Sequence, residues 1–256
     1  MRIERLDIHQ LRNLSDISLS PLKKVNVFSG QNGSGKTSLL EAVYLLALGR
    51  SFRTPRFANA VQHGSTQTTV YAALRSSDNN KGHSIGVQRG TDGPPLLRLD
   101  GKKARSLAEL VALVPVQLIN AASFQLLEGP PSQRRQFIDW GVFHVEHRFH
   151  VAWRRAKKSL KQRNSLLRRG KIDLDSLAVW DRELVSAATD VDLFRQQYIE
   201  ESSTVFYPLL RSMNTSLGDV QLVYRRGWNR DTPLEDRLQA HRETDLRQGF
   251  TSVGPH

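Results

Sequence analysis

Three observations predict an α/β fold in which a β-rich lobe is followed by a helical one. A glycine-rich loop, Gly30-Gln-Asn-Gly-Ser-Gly-Lys-Thr37, sits between a β-like run, Val25-Asn-Val-Phe28, and an apolar helix beginning at Thr37. Three alternating runs near 66–75, 83–89 and 96–100 are separated by turn chemistry, Asp-Asn-Asn, Thr-Asp-Gly-Pro-Pro and Asp-Gly-Lys, and read as an antiparallel β subdomain. Two long apolar stripes at helical spacing then occupy 149–205.

Taken in order, residues 2–9 and 14–19 alternate at Ile3, Leu6, Ile8 and Leu14, Ile17, Leu19, which predicts two short strands around a turn at Arg12-Asn13. Arg12 is assigned to the surface of that turn rather than to a ligand. The loop at 30–37 fills every fixed position of the phosphate-binding pattern Gly, four residues, Gly-Lys-Thr. Gly30, Gly33 and Gly35 permit backbone angles that turn successive N–H groups inward around a phosphate, with Gln31, Asn32 and Ser34 between them. Lys36 supplies a point charge to the outer phosphates and Thr37 a hydroxyl to Mg2+, while the positive end of the following helix faces the same anion. ATP with Mg2+ is the expected cofactor.

Residues 104–113 read as a short helix and Val114-Pro-Val-Gln-Leu-Ile-Asn120 as a buried strand. Leu126-Leu-Glu-Gly-Pro-Pro-Ser132 marks a turn, with Ser132 placed as the cap of a helix starting at Gln133. Phe149, Trp153, Ala156, Leu160 and Leu167 then fall within about 40° of one another on a helix. After Gly170, Leu177, Leu184, Val191, Tyr198 and Val205 recur every seven residues, with Trp180, Ala187 and Phe194 three residues after the first of them. Two seamed helices joined near Gly170 predict an antiparallel hairpin standing out from the first lobe, with Pro208 ending the pattern. Val220-Gln-Leu-Val-Tyr224 alternates like a strand and 233–247 suits a polar helix. The implied domains are 1–132, a loop-bearing head lobe; 133–212, a helical hairpin lobe; and 213–256, the start of a return into the head.

The chain of 256 residues carries 37 Lys+Arg against 25 Asp+Glu, a formal charge of +12, which favours a polyanionic partner. Nine basic residues and no acidic one lie between Arg154 and Lys171. Arg154, Arg155, Lys157, Lys158, Lys161, Arg163, Arg168 and Arg169 are therefore the candidate contacts to a DNA backbone. Phe137, Trp140, Phe143, Phe149 and Trp153 are assigned to the core rather than to base stacking. His144, His147 and His150 drift by about 60° per step around a helix and lack the i, i+4 pair of a zinc site. Zero cysteines exclude disulfides and thiolate chemistry, and no apolar run approaches the ~20 residues of a membrane span, so a cytoplasmic protein is expected. No apolar run ends in Asp-Asp or Asp-Glu, which leaves a second magnesium ligand and a water-activating carboxylate without a candidate.

The stretches 30–53, Gln125-Leu-Leu-Glu-Gly-Pro-Pro-Ser-Gln-Arg-Arg-Gln-Phe-Ile-Asp-Trp-Gly-Val-Phe-His144, 160–170 and the terminal Gly-Pro-His together resemble the RecF family of bacterial DNA repair and replication proteins. The resemblance implies an ABC-type P-loop ATPase head with an inserted α-helical lobe, ATP-dependent homodimerisation, and binding to single-stranded and gapped duplex DNA. It further implies work with RecO and RecR in loading recombinase at gaps and stalled forks, within the SOS response. Where the family carries Pro and an acidic residue after the buried strand, this chain has Ala121-Ala122. The family's signature motif and Walker B strand follow the Gly-Pro-His stretch, so the expectation is a head incomplete at its C-terminus that hydrolyses ATP poorly. Alternative functions are a P-loop small-molecule kinase, which needs neither the +12 charge nor the heptad hairpin, and a DNA-binding scaffold that does not hydrolyse ATP.

Overall fold

The computed structural model describes residues 1–20, 24–76, 81–168, 173–213 and 220–255. The chain divides into two compact units, Met1–Asn120 and Ala121–His256.

The first unit is built on β1 (Arg2–Leu11), β2 (Leu14–Leu19), β3 (Gln67–Arg75), β4 (Gly82–Gly90), β5 (Leu96–Leu99) and β6 (Lys102–Lys103). They form one six-stranded antiparallel sheet in the order β2-β1-β3-β4-β5-β6. Register aligns Leu6, Ala72, Ile85 and Leu99 in one row and Ile8, Val70, Val87 and Leu97 in the next, because every second residue points to the same face. Onto that face packs α1 (Lys36–Leu48) through Leu39, Ala42, Leu45 and Leu46, joined by Leu110 of α2 (Leu107–Leu113). The chain reverses between β1 and β2 with Arg12 in the left-handed region, φ 56°.

Two expected strands of this unit do not form. Val25-Asn-Val-Phe28 and 114–120 are irregular chain, and the sheet includes neither. A strand exists by its ladder, and without one these runs leave Val25 81%, Val27 86% and Ile119 84% exposed.

In the second unit a short 3-10 turn, Ala121–Phe124, leads into α3 (Gln125–Glu128), α4 (Pro131–Val145), α5 (Phe149–Leu167), α6 (Leu174–Met213), α7 (Leu234–Ala240) and α8 (Arg242–Gln248). The cap of α4 is Pro130, with Pro131 as the first helical residue, so Ser132 lies inside the helix rather than capping it. The α5 and α6 helices pack antiparallel: Arg155 reaches Glu183 and Ser186, and Arg163 reaches Asp181. The two expected stripes face one another, burying Phe149, Ala156 and Leu167 on α5 and Leu177, Leu184, Ala187, Val191 and Phe194 on α6. The junction expected at Gly170 lies outside the described residues. Gly141 of α4 admits Tyr198 of α6, since a Cβ there would stand 2.1 Å from the tyrosine oxygen.

Five further expectations are corrected. The seam fades toward the end of α6, where Val205 is 68% exposed, and Pro208 does not stop the helix, which runs on to Met213. A proline removes one N–H from the ladder and crowds the preceding turn, and on this largely exposed segment the freed carbonyl is open to water. Residues 220–224 are irregular chain outside the sheet; Tyr224 instead donates its hydroxyl to Asp192 at 2.8 Å. The helix expected over 233–247 breaks at His241 into α7 and α8. Of the aromatics assigned to the core, Phe149 is buried, Trp140, Phe143 and Trp153 are half-buried and Phe137 is exposed.

Arg163 is the largest fully buried side chain among the described residues. Its Nε donates to Asp181 Oδ1 at 2.6 Å, and its Nη1 donates to Asp245 Oδ2 and Thr251 Oγ1, both at 2.7 Å. Asp245 also accepts from the Ser252 backbone and hydroxyl, and Asn164 Oδ1 accepts from both donors of Thr251. One guanidinium thus ties α5 to α6, α8 and residues 251–252. Removing it leaves two carboxylates without their cation, and Arg163→Met is expected to lose about 3–5 kcal/mol in urea unfolding. Lys158→Met on the exposed face of the same helix is expected to change stability by about 0.5 kcal/mol or less.

His144 lies edge-on to Trp140 at 4.4 Å between centroids, and His150 edge-on to Phe143 at 5.5 Å. Burial lowers both pKa values below the ordinary 6.5. The unfolded chain therefore takes up protons that the folded chain resists, so their contribution is full above pH 6.5 and falls as pH drops from 6.5 toward the lower folded values. Urea midpoints measured from pH 8 to 5 are expected to decline over that interval, and less steeply in His144→Gln.

Candidate nucleotide and nucleic-acid sites

The loop at 30–37 takes the angles its glycines were expected to allow, with φ 152° at Gly30, 82° at Gly33 and 99° at Gly35. Only glycine fits at position 35, where a Cβ would stand 2.6 Å from Leu14 Cδ2. Lys36 Nζ lies across the loop and donates to the carbonyls of Gly30 and Gln31, each at 2.7 Å. Gly35 caps α1 with no side-chain hydrogen bond, and the first turn carries no acidic residue. That end of the helix presents its N–H groups and partial positive charge without an internal anion. Thr37 is exposed at its start, whereas the neighbouring Ser38 is buried and donates to Asn13 Oδ1 at 2.9 Å.

Two supports of the loop are not visible in its pattern. Asn13, in the β1–β2 turn, donates from Nδ2 to the Gly33 carbonyl at 2.8 Å, so one amide braces both the loop and Ser38. Arg12 is not a free surface residue: its Nε and Nη2 donate to the two oxygens of Glu41, each at 3.0 Å, and its Nη1 donates to the Asn59 carbonyl. Glu41 lies on α1, is fully buried, and also receives Ser51 Oγ and Arg53 Nη1. The signal available in the sequence was Arg12-Asn13 itself, two polar residues in a tight turn, without any mark of what they reach. An open hollow of about 440 Å3 lies against the loop, walled by Leu14, Ile17, Val27, Phe28 and Leu39.

The basic stretch of α5 resolves into residues of different standing. Arg154, Lys157, Lys158 and Lys161 are exposed and make no ion pair among the described residues. Lys157 Nζ lies 3.9 Å from the centroid of Trp153, and Lys158 Nζ 5.9 Å from that of Trp180. Arg155 is paired with Glu183 at 2.8 Å and approaches Asp190 at 3.7 Å, which holds the Glu183 carboxyl below its ordinary pKa. Arg168 is exposed and donates to the Gly249 carbonyl at 3.1 Å. Arg163 is withdrawn as a DNA contact, since it is fully buried between Asp181 and Asp245. Arg169 lies outside the described residues. The stretch lacks carboxylates in sequence, but α6 supplies them across the helix pair.

The family described as RecF/RecN/SMC N terminal domain matches residues 2–217. The chain is 45% identical over 255 residues to the DNA replication and repair protein RecF of Pseudomonas paraeruginosa, covering all of this chain and 69% of that protein. It is 45% identical to the same protein of Stutzerimonas stutzeri, covering 68% of its length. Among solved structures it superposes on the recombination mediator protein RecF-ATP in the RecFOR pathway with a TM-score of 0.85 at 25% identity, over all of this chain and 71% of that one. The corresponding RecF-ATPrS structure gives 0.86 at 25% identity. The loop-bearing sheet unit and the helical unit are thus those of an ABC-type ATPase head with its helical lobe, and the chain belongs to the RecF family of DNA replication and repair proteins.

Proposed function

We propose that this chain binds ATP at Gly30, Gln31, Asn32, Gly33, Ser34, Gly35, Lys36 and Thr37, and binds DNA through the exposed cations of α5 in recombinational repair. The observation that carries the nucleotide site is the loop's geometry: three glycines at positive φ, an uncapped helix start and a lysine ammonium held on the loop's own carbonyls. These groups fit a polyphosphate. Backbone N–H groups hold phosphate oxygens, Lys36 neutralises charge, and the exposed Thr37 hydroxyl is the side chain placed to ligate Mg2+, which when bound screens the phosphates. Asn13 braces the loop directly, and Glu41 positions it through Arg12.

For DNA, the unpaired Arg154, Lys157, Lys158 and Lys161 are the stronger contacts, with Arg168 beside them and Arg155 weakened by Glu183. Lysine and arginine on one helix face bind phosphates without reading sequence, which suits single-stranded and gapped duplex DNA. Partnership with RecO and RecR, recombinase loading at gaps and stalled forks, a place in the SOS response, ATP-dependent homodimerisation and a cytoplasmic location rest on family membership. Among the described residues no helix is long and apolar enough to cross a membrane. A small-molecule kinase is disfavoured by the RecF relationship and by the basic face of α5.

ATP binding measured by calorimetry on the wild-type chain and on Lys36→Ala tests the site: affinity is expected to fall by at least about ten-fold in the variant with its helical signal intact, and an unchanged affinity would remove the loop. Turnover in the same samples, with and without gapped DNA, separates an ATPase from a scaffold that only binds ATP. Reversal of Arg154, Lys158 and Lys161 to Glu is expected to weaken single-strand binding and to make the slope of log K against log salt shallower by roughly two, while sparing ATP affinity.

A further inference from the structure

Beside the exposed ridge of α5 lies a pocket of about 210 Å3, where the first turns of α4 meet α5 and α6. Its walls are apolar, with Trp153 and Leu160 of α5 facing Leu184 and Val191 of α6. Its lining is positive in effect. Arg135 and Lys157 carry charges that no ion pair offsets among the described residues, whereas the lining carboxylate, Asp139, is fully engaged. Asp139 Oδ1 accepts from Arg195 Nε at 2.7 Å, and its Oδ2 accepts from Arg195 Nη2 and Trp153 Nε1, both at 3.0 Å. That bonding fixes the indole edge, so the ring is a rigid wall. Over it, 3.9 Å from its centroid, sits the ammonium of Lys157, at the end of an exposed side chain.

We infer that this pocket takes one unpaired nucleobase of a single-stranded nucleic acid, stacked on the Trp153 indole in the place now held by the Lys157 ammonium. The inference rests on the reading of α5 as the nucleic-acid face and names what that face would select. The volume suits one planar heterocycle rather than a drug-sized ligand. Stacking on an aromatic side chain is the common way proteins hold unpaired bases, and every base has a face to offer. Ser132 and Gln136 at the α4 side of the pocket supply hydrogen-bonding groups for a base edge. Lys157, displaced from the ring, meets the phosphate attached to the inserted base, and Arg154, Lys158 and Lys161 carry the strand onward along the ridge. A peptide occupant would bring a backbone donor and acceptor with each residue, which these apolar walls do not satisfy. A base in a duplex cannot enter without leaving its stack, so the pocket prefers single strands.

The test compares two fluorescent single strands of equal length and charge, one of thymidines and one abasic throughout, binding to the whole chain at fixed salt. The wild-type chain is expected to bind the thymidine strand about ten-fold more tightly. Gln136→Trp, which places an indole over the pocket from an exposed position of α4, is expected to bind both strands alike, at the abasic level. Equal affinity of the wild type for the two strands would overturn the pocket while leaving phosphate binding in place. Retention of the thymidine preference in a folded Gln136→Trp would overturn it too, as would that result with loss of binding to a polyglutamate peptide, which would assign the pocket to an acidic chain. Charge reversal at Arg154, Lys158 and Lys161 reads the ridge separately: both affinities fall by one factor if the strand follows α5. If neither falls while the base preference persists, the base stays in the pocket and the path along α5 is overturned.

Discussion

The buried carboxylate of Glu41 sets the terms for the phosphate loop. A charge taken fully out of water is tolerated only when paired and hydrogen-bonded, and Glu41 meets that condition with Arg12, Arg53 and Ser51, drawn from both sides of its helix in sequence. The bidentate fork from Arg12 fixes the distance between the β1–β2 turn and α1. Since Asn13 is the next residue of that turn, the same fork sets where its amide meets the Gly33 carbonyl. The loop's shape is therefore held from outside by the sheet, and its glycines are free to be small and backbone-exposed because they need not hold themselves.

The helical unit uses the same device twice, with opposite polarity. At Arg163 a buried cation gathers two aspartates; at Asp139 a carboxylate gathers Arg195 and the Trp153 indole. Both join segments far apart in sequence, α5 with 245–251 in the first case and α4 with α6 in the second. Buried pairs of this kind add less to stability than apolar packing of equal volume, but they penalise any docking that leaves one partner alone. They specify how the helices assemble more than how strongly.

Much of this was legible in the sequence. Alternation gave β1 to β5 to within one or two residues, since an antiparallel sheet with one solvated face writes its register into the chain. The seams of α5 and α6 were visible for the corresponding reason at a period near 3.6. The failures share a cause. Val25–Phe28, 114–120 and 220–224 have strand-like composition, but a strand needs a neighbour, and neighbours are a property of the fold. Arg163 was counted with the surface cations because a run without acids looks solvated; the aspartates that draw it inward lie 18 and 82 residues further on. Arg12 failed in the same way, its partner standing 29 residues downstream. Within the candidate site, the loop's own residues were evident and its braces were not, because spacing encodes local geometry and says nothing of what packs against it.

The 40-residue α6 has a mechanical consequence. Its fully buried residues end at Arg195, and over the 18 residues from Gln196 to Met213, roughly 27 Å at the helical rise of about 1.5 Å per residue, the packing loosens to single contacts such as Tyr198 against Gly141 and the Tyr207 hydroxyl accepting from the Leu222 N–H at 3.0 Å. A helix packed far more tightly at its base than beyond it magnifies what happens at that base. A rocking of about 5° where Leu184, Ala187 and Val191 sit would carry the far end sideways by roughly 2 Å over that length, a displacement the size of a side-chain contact produced by adjustments at the base too small to disturb its packing.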